Sequence, residues 1–168
     1  MWRMCRRRWR SSCGWLRVSR EPESEWGSPE ESPGFLLWRV TLGWQRAMRE
    51  ALAPHGLTHV QFVLLASAWW LGREGAPTQM QLAQQAGTDP MMTSQVVRKL
   101  EDKGLIRRDE DPNDARARRI VLTRQGKALL TKALAGVEGA DAEFFAAQGN
   151  EQQRFVRALT KLSRSDAE

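Results

Sequence analysis

The chain is expected to be mainly α-helical with one small β hairpin. Three observations carry that expectation, all within residues 78–123, TQMQLAQQAGTDPMMTSQVVRKLEDKGLIRRDEDPNDARARRIVLT. Two short helical patterns follow one another across Gly87, Asp89 and Pro90, residue types that end one helix and open the next. Gly104 stops the second pattern. Two short β-prone runs then flank DEDPNDARA, a segment of turn residues. Helix, turn, helix and hairpin, in that order, make a winged helix-turn-helix.

With 168 residues the default is one domain able to bury a real core, and 41% apolar residues is ordinary for such a chain. The net charge of +6 is unevenly placed. Residues 1–20 hold seven arginines and no acid, whereas the rest hold 19 Lys+Arg against 20 Asp+Glu. Global charge therefore says little about the folded part. Residues 88–132, with 11 basic and 7 acidic side chains, are locally positive inside the motif. Both cysteines, Cys5 and Cys13, lie near the start, which argues against a disulfide scaffold, a cysteine-ligated metal and a core thiol sensor. His55 and His59 stand four apart, but Gly56 interrupts any helix between them and no third ligand lies nearby, so no metal is expected. No apolar run of about 18 residues or apolar leader segment is present, which points to the cytoplasm and away from the membrane.

Residues 1–32 have the composition of a tail, basic with Trp, Ser and Cys, then acidic with Pro, Ser and Gly, and are expected to be disordered. Residues 1–20 admit three readings: a basic arm adding non-specific DNA affinity, a solvated tail, or a start assigned upstream of the true one, which the abrupt change of composition favours. The folded domain is expected over 33–165. Ser32-Pro33 opens the first helix, which is apolar nearly all round over Phe35, Leu36, Leu37, Trp38, Val40, Leu42 and Trp44. Such a helix is expected to be buried, often against a second chain. Ala53 to Gly56 breaks it. Thr58 caps a second helix with Phe62, Leu65, Ala66 and Trp69 at helical spacing. Thr78 caps a third with Leu82 and Ala86 inward. Thr88 or Asp89 caps the fourth, which runs to about Lys103. After the hairpin, formed by 105–108 and 118–122, Thr123 caps a long helix weakened near Gly136 and Gly139. Residues 151–163 form a last amphipathic helix with Phe155, Val156, Leu159 and Leu162.

The fourth helix can be read by angle. With Met91 at zero, Thr93, Val96, Val97 and Leu100 fall between about 140° and 240°, an apolar inner arc. Met91, Ser94, Gln95, Arg98 and Asp102 fall within about 60° of zero, and Met92 and Lys99 flank them. An outer face of Ser, Gln and Arg can hydrogen-bond base edges and phosphates, although a solvated face would look the same. Asp114 and Arg116 stand two apart in the hairpin loop. There an aspartate can hold a guanidinium extended, and arginine suits a narrow minor groove; the bland alternative is a surface ion pair.

This element order, with the helix ending Leu100 to Ile106 (LEDKGLI), the wing pair Asp114 and Arg116 and the closing Leu122-Thr123, resembles the MarR family of bacterial transcriptional regulators. The resemblance covers about residues 34–163. It implies a homodimer built from the first and last helices (about 33–53 and 124–163), with a DNA-binding lobe over about 58–123. It also implies a palindromic operator in double-stranded DNA, read by helices in major grooves spaced by about one turn, roughly 10 base pairs. In that scheme Arg116 enters the minor groove, Asp114 braces it, and Met91, Ser94, Gln95, Arg98 and Lys99 face base edges or phosphates. Most such proteins are repressors, and many release DNA on binding a small aromatic or phenolic effector. Peroxide-sensing members use a cysteine near the first helix, which this chain lacks, and the basic-then-acidic extension is not part of the family pattern.

Trp38, Trp44 and Trp69, with His59, are the residues from which an aromatic effector pocket would be built. Plain core and dimer contacts are the competing role. Two other function classes remain. A winged helix that binds protein rather than DNA is one, and the Asp114/Arg116 wing argues against it. An enzyme is the other, but no nucleophile-base pair, phosphate-cradling glycine loop or carboxylate cluster is present, and no cofactor is implied.

Overall fold

The computed structural model describes residues 23–111 and 114–165, from the backbone alone over 114–117 and at 165. Expectations for residues 1–22, including the arginine-rich segment and both cysteines, lie outside the described residues. So do Pro112 and Asn113, and the side chains of Asp114 and Arg116. By compactness the chain divides into two units, Met1–Leu36 and Leu37–Glu168.

In the first unit the described residues include a single 3-10 turn, Pro29–Glu31, inside the stretch expected to lack structure. Proline at the first position presets the backbone, and the Gly27 amide donates to Glu31 Oε2 at 3.1 Å. Helix α1, Pro33–Leu52, begins in this unit.

The second unit follows the expected order. Helix α1 ends in a 3-10 turn, Ala53–His55, closed by Gly56 in the left-handed region (φ 61°). Helices α2 (His59–Leu71), α3 (Gln79–Ala86) and α4 (Pro90–Asp102) follow. Strands β1 (Ile106–Asp111) and β2 (Asp114–Leu122) form an antiparallel pair, then come α5 (Arg124–Phe145) and α6 (Gln152–Ser165). Both Thr58 and Thr78 form capping boxes with a glutamine three residues on. One core joins Met48 and Leu52 of α1 to Leu64 and Leu65 of α2, Leu82 of α3, Val97 and Leu100 of α4, Ile120 of β2 and Leu130 of α5. Each such side chain, fully buried, contributes about 1.5–3 kcal/mol.

Several expectations are corrected. The hairpin is longer than 105–108 paired with 118–122: Asp109 faces Arg119 and Glu110 faces Arg118, so two acids assigned to the loop extend the ladder opposite arginines already placed in the second strand. A bulge between Glu110 and Asp111 then lets Asp111 face Asp114. Helix α5 runs unbroken through Gly136 and Gly139. A Cβ added at Gly136 would meet the Ala51 carbonyl of α1 at 3.5 Å, an ordinary contact, so the weak helix propensity of glycine there is simply tolerated within the long helix. The first half of α1 is not buried within this chain: only Met48 and Leu52, near the end of the helix, are. On α2, Phe62 and Leu65 are buried as expected, Ala66 is partly buried, and Trp69 is exposed. Among the described residues, no helix is long and apolar enough to cross a membrane.

Candidate nucleic-acid interface

Helix α4 is built to show one face. Asp89 is its cap, accepting from the amides of Met91 (2.8 Å) and Met92 (3.0 Å), and Pro90 follows at the first helical position. Thr93, Val96, Val97 and Leu100 are buried, the inner arc read from the sequence. Thr93 is fully buried yet satisfied: its hydroxyl lies 2.9 Å from the Asp89 carbonyl and 2.8 Å from the Thr88 hydroxyl. Thr88 therefore supports the cap rather than forming it. On the outer arc Met91 is 73% exposed; Gln95, Arg98, Lys99 and Asp102 are exposed and Ser94 is half-buried. Among the described residues, no hydrogen bond or ion pair engages the side chains of Gln95, Arg98 or Lys99.

The far end of α4 is fastened to α2. The Lys103 ammonium donates to the Gly56 carbonyl at 2.8 Å and reaches Gln61 Oε1 at 3.4 Å, and Gln61 is the buried glutamine of the Thr58 capping box. Arg108 of β1 pairs with Glu101 of α4, and this hydrogen bond holds the Glu101 carboxyl below the usual carboxylate range. The exposed face of α4 is thus carried on a helix held at both ends.

The wing is stiffened by its own charges. Arg118 pairs with Glu110 at 2.9 Å and Arg107 with Asp109 at 3.0 Å. Arg119 pairs with the buried Asp111 at 2.5 Å and also donates to the Ala76 carbonyl at 2.9 Å. That last bond, with the Ile120 amide donating to Pro77 O at 2.8 Å, ties β2 to the segment before α3. These roles for Arg107, Arg118 and Arg119 were not read from the sequence; the alternation of acids and arginines across the loop was the available signal. Asp114 opens β2 and Arg116 follows two residues on, at the loop end of the strand rather than inside a loop. At the strand's other end the Thr123 hydroxyl donates to Gly104 O at 2.7 Å and accepts from the Gly126 amide at 3.0 Å, joining wing and α5.

The four residues expected to line an effector pocket do not assemble into one. Trp44 and His59 meet edge to face, with ring centroids 4.8 Å apart, and the Trp44 indole donates to Asp141 Oδ1 at 2.7 Å. Burial pushes the His59 pKa down, partly opposed by the Asp141 charge. Trp38 is 61% exposed. Trp69 lies ten residues beyond His59 on α2, about 15 Å away along the helix, and borders a different cavity. His55, the other histidine, ends the 3-10 turn before α2.

The comparisons agree with this geometry. The MarR family model matches residues 57–117, from the approach to α2 through most of the wing. The HTH-type transcriptional regulator YdcH of Bacillus subtilis is 45% identical over 143 residues, covering 84% of this chain and 97% of that protein. The Mycobacterium tuberculosis MarR family protein Rv2887, solved in complex with salicylic acid, is 36% identical with a TM-score of 0.60, covering 78% of this chain and 96% of that one. The M. tuberculosis regulator MosR, solved in complex with DNA, is 29% identical with a TM-score of 0.69, covering 82% and 97%. The chain belongs to the MarR family: it is a winged helix-turn-helix transcriptional regulator and not an enzyme.

Proposed function

We propose that two copies of this chain bind a palindromic operator and repress transcription there, with α4 of each copy in a major groove and Arg116 of each wing in the flanking minor groove. The observation that carries the reading is the split surface of α4: a buried apolar arc behind, and in front Gln95, Arg98 and Lys99 exposed with no protein partner among the described residues. Met91 and Ser94 complete that face, and Asp114 braces Arg116. Residues 58–123 serve as the DNA-binding lobe, and 33–53 with 124–163 as the dimerisation helices. The protein works in the cytoplasm, where its DNA is. The solved DNA complex of MosR supports the mode of binding. Salicylic acid bound to Rv2887 supports release by a small aromatic effector.

The test is a fluorescence-anisotropy titration against a labelled duplex from the promoter of its own gene, with excess random DNA at physiological salt. Retained binding at two chains per site is the expected result. Binding removed by the competitor across a panel of candidate operators would leave a winged-helix module that binds protein, and would sink this reading.

A further inference from the structure

The outer arc of α4 is polar from Ser94 to Asp102 and apolar only at its start. Met91, the second residue of the helix, lies on that arc, with Ser94 and Gln95 about one turn on and Arg98 about two. It is 73% exposed, more than Trp38 and more than any other large apolar side chain among the described residues. Its place is fixed from behind. The Met91 amide donates to Asp89 Oδ1 at 2.8 Å, and Pro90 presets the turn before it. Thr93, two residues on, is fully buried and bonded to the Asp89 carbonyl, which sets the rotation of this turn about the helix axis.

An exposed apolar side chain standing alone is ordinary on a protein surface. Met91 differs by its place, on the face read as meeting DNA and in the part of a recognition helix that comes nearest base edges. Its thioether has no donor and accepts only weakly, so it can serve neither a phosphate nor the hydrogen-bonding edge of a base. Removing its surface from water is favourable only where an apolar group takes the place of the water. The major groove offers one such group, the C5-methyl of thymine.

We infer that Met91 is a specificity-determining residue that reads thymine through its C5-methyl group. This deepens the DNA-binding reading and rests on it. Gln95 lies one turn on, about 6 Å along the helix axis, and base pairs stack about 3.4 Å apart. The thymine read by Met91 therefore lies within about two base pairs of the base that Gln95 faces. The contact has no hydrogen-bond direction, and the flexible methionine side chain adapts to the methyl's position. Discrimination is by the methyl alone. Deoxyuridine keeps every hydrogen-bonding group of thymidine and lacks only that methyl, so the protein should treat it as a wrong base.

The test starts from the tightest duplex that the full chain selects from random double-stranded DNA. Each thymine of a half-site, with its symmetry mate, is replaced in turn by deoxyuridine, and affinity is measured by competition anisotropy. At one or more positions the parent should lose about fourfold per half-site, the factor that burial of one methyl group supplies. Met91→Ala should bind the unmodified duplex more weakly by about the same factor and be indifferent to deoxyuridine at that position. Met91→Leu, still apolar, should keep the discrimination, and Met91→Gln, similar in length but polar, should lose it. Because the side chain is exposed and the Asp89 cap holds the backbone amide, all three variants keep the fold. Deoxyuridine tolerated by the parent at every position, or discrimination kept in full by Met91→Ala, would overturn the inference while operator binding stands. A chain that selects no duplex from random DNA would overturn the inference and the DNA-binding reading together.

Discussion

Gln95 and Arg98 point away from the core on the same arc of α4, yet their chemistry sets different expectations. An arginine contacting phosphate lends affinity to every sequence, whereas a glutamine bidentate to adenine discriminates. Arg98→Ala should weaken binding evenly and lower the salt slope by about one, whereas Gln95→Ala should change which operators bind best. Anisotropy across an operator library at several salt concentrations separates the two, and an even loss for both variants would make Gln95 a phosphate contact. In the wing, Arg116→Ala should cost more than tenfold in operator affinity with the dimer intact, a loss worth about 1.4 kcal/mol or more. Arg118→Ala should cost less, since Arg118 is already paired with Glu110. Equal losses would move the minor-groove contact away from Arg116. The α4 face was legible in the sequence because burial follows the helical period over thirteen residues. The role of Arg119 was not, because the Ala76 carbonyl it holds lies 43 residues away in sequence.

Between elements, the joints matter more than the elements themselves. Gly126, in the first turn of α5, lies so close to the Leu105 backbone that any Cβ there would collide with the Leu105 carbonyl. Gly126→Ala should destabilise the protein by about 1–3 kcal/mol or more and displace the wing from α5. Urea unfolding measures the first effect and operator affinity the second; a neutral substitution would show that this joint can give. No local pattern announces such a glycine, since the contact is made by chain on the other side of the wing. A second joint gathers Trp44 of α1, His59 of α2 and Asp141 of α5. The folded-state pKa of His59 lies below its ordinary value of 6.5 because burial disfavours the charged ring, and the Asp141 carboxylate opposes part of that shift. The unfolded chain therefore binds more protons than the native one just below pH 6.5, so this joint's contribution is present above that pH and lost as pH falls through the folded-state value. Chemical denaturation between pH 5 and 7 should show a slope that His59→Gln flattens, and an unchanged slope in that variant would assign the pH dependence elsewhere.

At the scale of the molecule, the chain leaves apolar surface uncovered at two places that the sequence marked for burial. Leu37 (54% exposed) and Trp38 lie in the first half of α1, and Val156 (54%) and Leu159 lie on α6. The sequence states that this surface needs a cover but not which chain supplies it, since an apolar stripe reads alike whether its cover is intra- or intermolecular. Within its own chain α6 meets α5 through Phe155, whose ring lies 5.8 Å from that of Phe145, while Val156 and Leu159 face outward. A second copy is the cover the family architecture supplies, and a stable interface needs about 800 Å2 from each partner, more than these few side chains alone would bury. An interface along both helices, as proposed, would supply that area. Sedimentation equilibrium should show two chains per particle at micromolar concentration. Trp38→Asp and Leu159→Asp should each shift that equilibrium to single chains, because a carboxylate buried in an apolar interface finds no partner. The monomers should keep the helical circular-dichroism signal, since neither residue belongs to the core, but should lose binding to a full palindrome, whose half-sites lie about 34–36 Å apart and need two linked α4 helices. A variant that stayed dimeric would place the interface elsewhere on the chain. A monomer that bound the palindrome as tightly as the parent would show that one wing and one α4 suffice.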